Sequence, residues 1–264
     1  MRLRLTTWNI NSVRLRIDLV TGLLERLQPD VICLQETKVP DPLFPLKPFH
    51  KLGYAHHVIA GQKGYHGVAI LSRRPFEASE RRNWCGKEDA RHVHATLEGG
   101  IELHNFYVPS GGDVPDPAVN DKFAHKLMFL DEVAGWFSGR CHPEGRMVMV
   151  GDLNVAPSEF DVWSHKQLLD VVSHTPVEVE KLTAIYDTGW VDAVRAFHPE
   201  PEKLYSWWSY RARDWRASNR GRRLDHIWVT PALKPALRGV QILDEARDWE
   251  KCSDHVPVTV DLEV

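Results

Sequence analysis

Four short segments set acid or amide groups beside what reads as an apolar strand. They are Trp8-Asn9-Ile10-Asn11, Gln35-Glu36-Thr37-Lys38, Gly151-Asp152-Leu153-Asn154 and Ser253-Asp254-His255-Val256-Pro257. A fifth, Arg223-Leu224-Asp225-His226-Ile227, opens a strand instead. Buried carboxylates are costly unless paired or bound to a cation. So many oxygen donors against apolar runs suggest one shared pocket for a hard divalent metal. His255 adds a group that moves protons near neutral pH. The chemistry this set would support is metal-assisted hydrolysis, with a phosphodiester as the foremost substrate class.

Each segment also has an ordinary explanation. Asp152 and Asn154, two apart after the run Met147-Val148-Met149-Val150, would point the same way from an extended chain. Asp-x-Asn is equally a common turn that bonds its own backbone. Glu36 could simply mark a strand exit, and Asp225 could pair with Arg223 at the surface. His255 is one of 14 histidines, and the others are read as surface or strand residues. None of them completes an HExxH-type zinc motif. Ser206-Trp207-Trp208-Ser209-Tyr210-Arg211 leads into a basic run, with arginines at 211, 213, 216, 220, 222 and 223 against one acid, Asp214. Aromatic faces beside Arg are what nucleic-acid grooves use. At least one of the two tryptophans should be core, and the Arg run could be a solvated loop.

The elements that must position these groups are legible as hydrophobic patterns. Residues 3–9 read as a strand. Residues 12–28 have helical spacing, with Val13, Ile17, Val20, Leu24 and Leu27 on one face, Asn11 or Ser12 as cap and Pro29 as stop. Residues 31–34 read as a buried strand, so the opening is a β-α-β unit with parallel neighbours. The middle differs: 54–60, 67–72, 93–97 and 101–108 are strand-like and separated by turns, with Glu98-Gly99-Gly100 as a hairpin signal. A second helix carries Val119, Phe123, Leu127, Leu130, Ala134 and Phe137. Further strands are expected at 147–150, 204–208, 224–229, 240–243 and 256–262.

A chain of 264 residues with no low-complexity linker suits one domain, residues 1–264, of two packed sheets with helices outside. The net charge of −3 names no partner by itself. Cys33, Cys85, Cys141 and Cys252 form no CxxC pair, which argues against a zinc site and a disulfide scaffold. Met1-Arg2-Leu3-Arg4 leads into a strand with no apolar signal core, and no apolar run approaches a membrane span. A reducing, cytoplasmic setting is expected.

Taken together and in this order, the motifs resemble the exonuclease III/apurinic-apyrimidinic (AP) endonuclease family of the endonuclease–exonuclease–phosphatase superfamily. The resemblance runs from Trp8-Asn9 to Asp254-His255. It extends to Lys63-Gly64-Tyr65-His66-Gly67-Val68-Ala69, to Tyr107-Val108-Pro109, and to Asn219-Arg220-Gly221 ahead of Arg223-Leu224-Asp225. It implies a DNase I-like α/β (α+β) fold, a four-layered sandwich of two packed mixed β-sheets flanked by helices. It implies that Asn9 and Glu36 hold Mg2+, for which Mn2+ can substitute, with Asp254 supporting a metal position. Asp152 would orient or deprotonate the attacking water, and Asn154 would hold the phosphate, both beside the metal. His255 would bond a phosphate oxygen with Asp225 fixing its ring. Either Asp152 or His255 could be the base, and one metal or two could serve. Tyr107 would contact the phosphate or the leaving oxygen.

The implied activity is AP endonuclease incision 5′ to abasic sites, with 3′→5′ exodeoxyribonuclease and 3′-phosphatase or phosphodiesterase action on duplex DNA. Trp207 and Leu224 would wall a pocket for the bare sugar. Arg222 stands where the animal branch carries an aromatic. The DNA backbone track should include Arg211 and Arg220, joined by Lys122 and Lys126 at the start of the second helix. The expected partner is double-stranded DNA with abasic sites or 3′ ends, bound by a cytoplasmic, nucleoid-associated monomer. A phosphatase acting on a small-molecule or lipid phosphate would need almost the same catalytic groups. The aromatic and Arg cluster at 207–223 favours DNA, because a small ligand has no use for a long basic track. A catalytically silent DNA-binding module is disfavoured, because each implied position carries a competent side chain.

Overall fold

In the strands, apolar side chains alternate across two faces, and both faces are covered. The computed structural model describes residues 2–212 and 214–264; Met1 and Arg213, the latter part of the basic run, lie outside the described residues. In chain order the first strands are β1 (Arg2–Asn9), β2 (Val31–Gln35), β3 (His56–Ala60), β4 (Val68–Ser72), β5 (Phe76–Arg81), β6 (His92–Leu97) and β7 (Ile101–Tyr107). Then come β8 (Met147–Asp152), β9 (Val191–Asp192), β10 (Trp207–Trp208), β11 (Gly221–Arg222), β12 (Asp225–Val229), β13 (Leu237–Ile242) and β14 (Val258–Glu263). One six-stranded sheet runs β13-β14-β1-β2-β4-β3 and the other β5-β6-β7-β8-β12-β9. Within each, one central pair is parallel, β1 with β2 and β7 with β8, as the opening β-α-β reading expects for the first. The remaining pairs are antiparallel, so both sheets are mixed.

The layers follow from the alternation. Leu3, Leu5, Val31, Cys33 and Ile70 of the first sheet share one core with Val93, Leu103, Val148, Val150 and Ile227 of the second. On the outer face of the first sheet, Trp8, Ile32 and Leu34 pack under α1 (Ile17–Leu27) and α2 (Leu46–Lys51). The longer helix α3 (Asp121–Ser138) precedes α4 (His165–Leu168), α5 (Pro176–Tyr186), α6 (Ala193–Phe197) and α7 (Trp215–Ser218). Phe106, Met149 and Trp228, on the outer face of the second sheet, pack under α3 and α5. The result is helix, sheet, sheet, helix. No helix among the described residues is long and apolar enough to cross a membrane.

Some local expectations change. The first helix begins at Ile17, not at 12, because Asn11 and Ser12 hold left-handed backbone (φ 47° and 88°) and Arg16 stands at the cap without a side-chain capping bond. The second begins at Asp121, capped by the Asn120 side chain on the Lys122 N–H; Val119 lies outside it and is 75% exposed. The strand expected at 204–208 shrinks to β10. Ahead of it, Leu204 N–H bonds the distant Phe160 O, and Ser206 N–H bonds Arg222 O of β11. β5 escaped the pattern reading because it is a largely exposed edge strand. α5 opens with a Thr175–Glu178 capping box, a signal the sequence did carry.

Candidate active site

Past the core, the inward-facing rows turn polar at one end of both sheets. On β1 the row Leu3, Leu5, Thr7 reaches Asn9, and on β2 Val31 and Cys33 lead to Gln35. Leu103 and Asn105 lead to Tyr107 on β7, and Val148 and Val150 lead to Asp152 on β8. β12 runs the other way, so its inward row begins with Asp225. A strand's period of two carries each of these side chains into the gap between the sheets. Register finishes the arrangement: Asp152 lies opposite Tyr107 on one side and Asp225 on the other, and Asn9 lies opposite Gln35. The Asn9 Nδ2 spans the gap, donating to Asp152 Oδ2 at 2.9 Å and to Glu36 Oε1 at 2.9 Å.

The backbone around these groups is unusual. Gly151 has φ 137°, and a Cβ there would sit 1.9 Å from the Phe106 carbonyl oxygen, so only glycine lets β8 lie so close to β7. Asn154 is left-handed (φ 53°), and its N–H donates to Asp152 Oδ1 at 2.9 Å. The segment is therefore a turn, and the extended geometry expected for Asp152 and Asn154 does not hold. The two still meet, because Asn154 Nδ2 reaches Val108 O at 2.8 Å and Asp152 Oδ2 at 3.2 Å. Glu36 leaves β2 with φ 50°, and Lys38 and His66 beside it are also left-handed. Such conformations cost of order 1–3 kcal/mol each and gather where surroundings over-determine them.

The charges here are not fully neutralised. Asp225 Oδ2 accepts from Ser206 Oγ at 2.7 Å and from His255 Nδ1 at 2.8 Å, while its Oδ1 is buried without a hydrogen bond. A carboxylate only accepts, so His255 Nδ1 carries a proton. The other ring nitrogen faces Asp152 Oδ2 at 3.6 Å. Burial works against the imidazolium, but Asp225 and Asp152 outweigh it and hold His255 up at about 10. Burial pushes the Asp152 carboxyl up; His255 opposes this, Asp225 adds to it, and the result is about 7. Burial, with Glu36 and Asp152 nearby, raises Tyr107 well above its ordinary value, leaving a neutral O–H. For Glu36 burial is outweighed by Lys38 (2.8 Å) and Asn9, and its carboxyl stays below its usual range.

The donor set fits a hard divalent cation. The Glu36 and Asp152 oxygens that would hold it lie within 4.8 Å of each other and of a ring nitrogen of His255, which as an imidazolium adds charge rather than a ligand. Carboxylate oxygens so close repel unless a proton or cation sits between them. Asn9 lies between the two acids but presents its NH2; its Oδ1 accepts from the Asn11 N–H at 3.1 Å. Asp254 stands outside this group. Its oxygens accept from Asn11 Nδ2 at 3.2 Å and Trp207 Nε1 at 2.9 Å, and despite burial its carboxyl stays below the usual range, His255 foremost among the groups responsible.

A cleft opens beside these groups, lined among others by Tyr107, Asn154, Trp163, Trp207, Arg211, Arg220, Arg222, Leu224 and His255. The guanidinium of Arg222 lies 5.2 Å from the Trp207 ring centroid and donates to Val172 O and Ser173 Oγ. Arg220 packs over Trp163 at 4.7 Å. Trp208 is core, as expected for one of the pair. One alternative falls and one expectation is corrected. Arg223 does not pair with Asp225 at the surface; it is buried on Asp161 and Asp192. Lys126 is fully buried with its ammonium on Glu178, so it cannot reach a DNA backbone, whereas Lys122 is exposed. Ser206, Trp163 and Glu178 were given no role by the sequence. Of these only Glu178 had a sequence signal, the capping box.

Known proteins align along nearly the full chain. The model of the Endonuclease/Exonuclease/phosphatase family matches residues 6–255. An exodeoxyribonuclease III of Haemophilus influenzae is 33% identical, over 97% of this chain and 98% of its own. The solved AP endonuclease from Archaeoglobus fulgidus superposes with a TM-score of 0.92 at 33% identity, covering 99% of this chain and 100% of that one. The 3′ phosphatase NExo from Neisseria, solved with a product DNA hairpin, gives 0.91 at 31% identity with the same coverage, 99% and 100%.

Proposed function

Because the chain belongs to the Endonuclease/Exonuclease/phosphatase family, in its exonuclease III/AP endonuclease branch, we propose that it is a metal-dependent DNA-repair phosphodiesterase. It incises duplex DNA 5′ to abasic sites and works on 3′ ends as an exonuclease and 3′-phosphatase. The observation that carries this reading is the buried Asp152, flanked by Asp225–His255 on one side and Asn9–Glu36 on the other, beside a cleft walled by aromatic rings and arginines.

The residues divide the work as follows. Mg2+, with Mn2+ as a substitute, would be held by Glu36 and Asp152, with Asn9 joining through Oδ1 once its amide turns over, and would neutralise charge on the phosphate oxygens and acidify water. Burial makes Asp152 a stronger base than an exposed carboxylate, so it takes the proton of the attacking water. The water oxygen bonds phosphorus as the bond to the 3′ oxygen breaks on the opposite side, and the departing oxygen takes a proton from solvent water to leave as the 3′ hydroxyl. His255, kept protonated by Asp225, donates a hydrogen bond from its Nε2–H to a non-bridging oxygen. Tyr107, neutral at working pH, donates to the phosphate or the departing oxygen, and Asn154 holds the phosphate. Asp254 supports the metal position indirectly, through Asn11 and Trp207.

Substrate choice comes from the cleft. An abasic nucleotide has no base pair to lose, so it costs less to flip out. Trp207 and Leu224 accept the bare sugar, while Arg211, Arg220 and the exposed Lys122 follow the backbone. One domain, residues 1–264, acts as a monomer on cytoplasmic, nucleoid DNA. The deciding assay uses a duplex with a single abasic site, with Mg2+ and with excess EDTA. Incision leaving a 3′ hydroxyl, abolished by chelator and restored by Mg2+ or Mn2+, is expected. Trp207→Ala should reduce abasic-site cleavage more than hydrolysis of a small phosphodiester. Full activity in EDTA, or faster turnover of inositol phosphates at matched concentration, overturns the reading.

A further inference from the structure

Lys126 is a fully buried cation that the reaction as described does not use. Its ammonium is saturated by three oxygens: a carboxylate oxygen of Glu178, the Asn154 carbonyl at 2.8 Å and the Ser110 carbonyl at 3.3 Å. Glu178 is also fully buried and spends its remaining bonds on the Ser173 N–H, the Thr175 N–H and the Thr175 hydroxyl. The pair thus joins three cleft-lining segments: the loop at Ser110, the turn at Asn154 and the loop at Ser173, to which Arg222 is also bonded. Asn154 needs such a hold. It is left-handed, and its carbonyl faces a buried ammonium while its side chain touches Asp152. An isolated buried ion pair is often replaceable by apolar side chains without loss of stability. A pair whose donors are aimed at a strained turn beside the proposed base does something an apolar replacement cannot.

We propose that Lys126, neutralised by Glu178, is a positioning residue for phosphodiester hydrolysis: by binding the Asn154 carbonyl it fixes the Asp152–Asn154 turn against the two loops that wall the cleft. The inference rests on the function proposed above. It acts through Asn154, so its signature is a loss of turnover that depends on Asn154 being present.

The test is a mutant cycle on the full-length protein, with Mg2+ and an abasic duplex. Lys126→Met with Glu178→Leu removes both charges and leaves no orphan ion, so stability is read separately by thermal melting. We expect a lowered melting temperature, because the Ser173 and Thr175 donors lose their acceptor, and, assayed below it, KM within about threefold and kcat lowered by about tenfold or more, as for a slightly misplaced catalytic group. In an Asn154→Ala background the same two changes should lower kcat by less than about twofold, because the carboxamide whose placement on Asp152 they set is gone. Lys126→Arg, which keeps a cation able to reach the carbonyl, should retain most of the turnover. A double variant with parental kcat overturns the proposal, and so does an equal loss in both backgrounds. Should the double variant fail to fold, Lys126→Gln is taken through the same cycle below its melting temperature, with the same two overturning results. An inactive parent would sink the proposed function; an active parent with an additive cycle would sink only the role of Lys126.

Discussion

Two clusters of buried acids sit on the second sheet, and they are wired in opposite ways. In the first, Asp161 is fully buried and bonded on both oxygens by Arg223, with Arg195 adding a further contact. Arg223 also holds Asp192 at 2.7 Å. Burial would raise the Asp161 carboxyl, but the guanidinium of Arg223 outweighs it and keeps it below its ordinary value. In the second, Asp152 and Asp225 have no guanidinium. Their partners are amides, a hydroxyl and one imidazole, and Asp152 is pushed up to about 7. A guanidinium cannot give up its proton near neutral pH, so the first cluster is chemically silent. The second keeps a carboxylate and an imidazole within 3.6 Å whose protons can move. Depth of burial does not separate structural acids from reactive ones; the kind of cation that faces them does.

Mutating one acid in each cluster should break this contrast if it is wrong. Asp152→Asn removes the proposed base, and loss of one preorganised group typically costs ~10²–10³ in turnover. It should leave melting temperature unchanged or raised, because a costly buried charge is gone. Asp161→Asn should do the reverse. Leaving Arg223 and Arg195 without their shared anion should cost about 3–5 kcal/mol of stability, with kcat nearly kept below the melting temperature. Incision rates and urea unfolding on both variants check the pair, and a swap of the two outcomes would refute the distinction.

Within the reactive cluster, Asp225 and His255 act as one unit. His255→Ala and Asp225→Ala should each cost at least about a hundredfold in turnover, and the double variant little more than the larger single loss. Additive losses would show that the imidazole does not depend on Asp225. For the silent cluster, pH sharpens the contrast. A depressed folded-state carboxyl contributes stability above its unfolded value, roughly 3.9, and loses it as pH falls through the folded value. The parent should therefore lose stability on acidification below about pH 4 more steeply than Asp161→Asn, as read by unfolding free energy against pH. Equal slopes would remove Asp161 from the acid transition. The smallest effect is expected at the cleft rim, where Arg211→Ala should lower the slope of log affinity for DNA against log salt by about one unit. An unchanged slope would place that residue off the DNA.

Much of the site was legible because strand alternation is local. The apolar runs at 3–9, 31–34 and 147–150 gave strands in nearly the right places, and the acids at their ends converged. Glu36, Asn9, Asp152, Asn154, Asp225 and His255 all lie at one end of the sandwich. Lys126 was misplaced although its spacing was informative. It falls in step with Phe123, Leu130 and Val133 on the buried face of α3, and only its charge suggested solvent. The partner that makes its burial tolerable, Glu178, lies 52 residues on. Arg223 was likewise read against its near neighbour Asp225, whereas its anions are 62 and 31 residues away. β10 shortened because, ahead of it, the Leu204 N–H is claimed by the distant Phe160 carbonyl rather than by a strand.

What the sequence determined by itself was periodicity: which residues form strands, which side of each strand is apolar, and which polar side chain continues that side past the core. These follow from the chain's own geometry over a few residues and need no partner. What only the tertiary structure decided was the fate of each charge. Asp152 ends an apolar strand and Asp161 closes a capping turn at Ser158, and neither setting says which cation will face the buried acid. One is met by arginines from residues 195 and 223, the other by Asn9, Asp225 and His255 from three other strands and loops. Solvation and charge compensation are sums over everything within several ångströms, so the reactivity of a carboxylate is settled only when distant parts of the chain have closed around it.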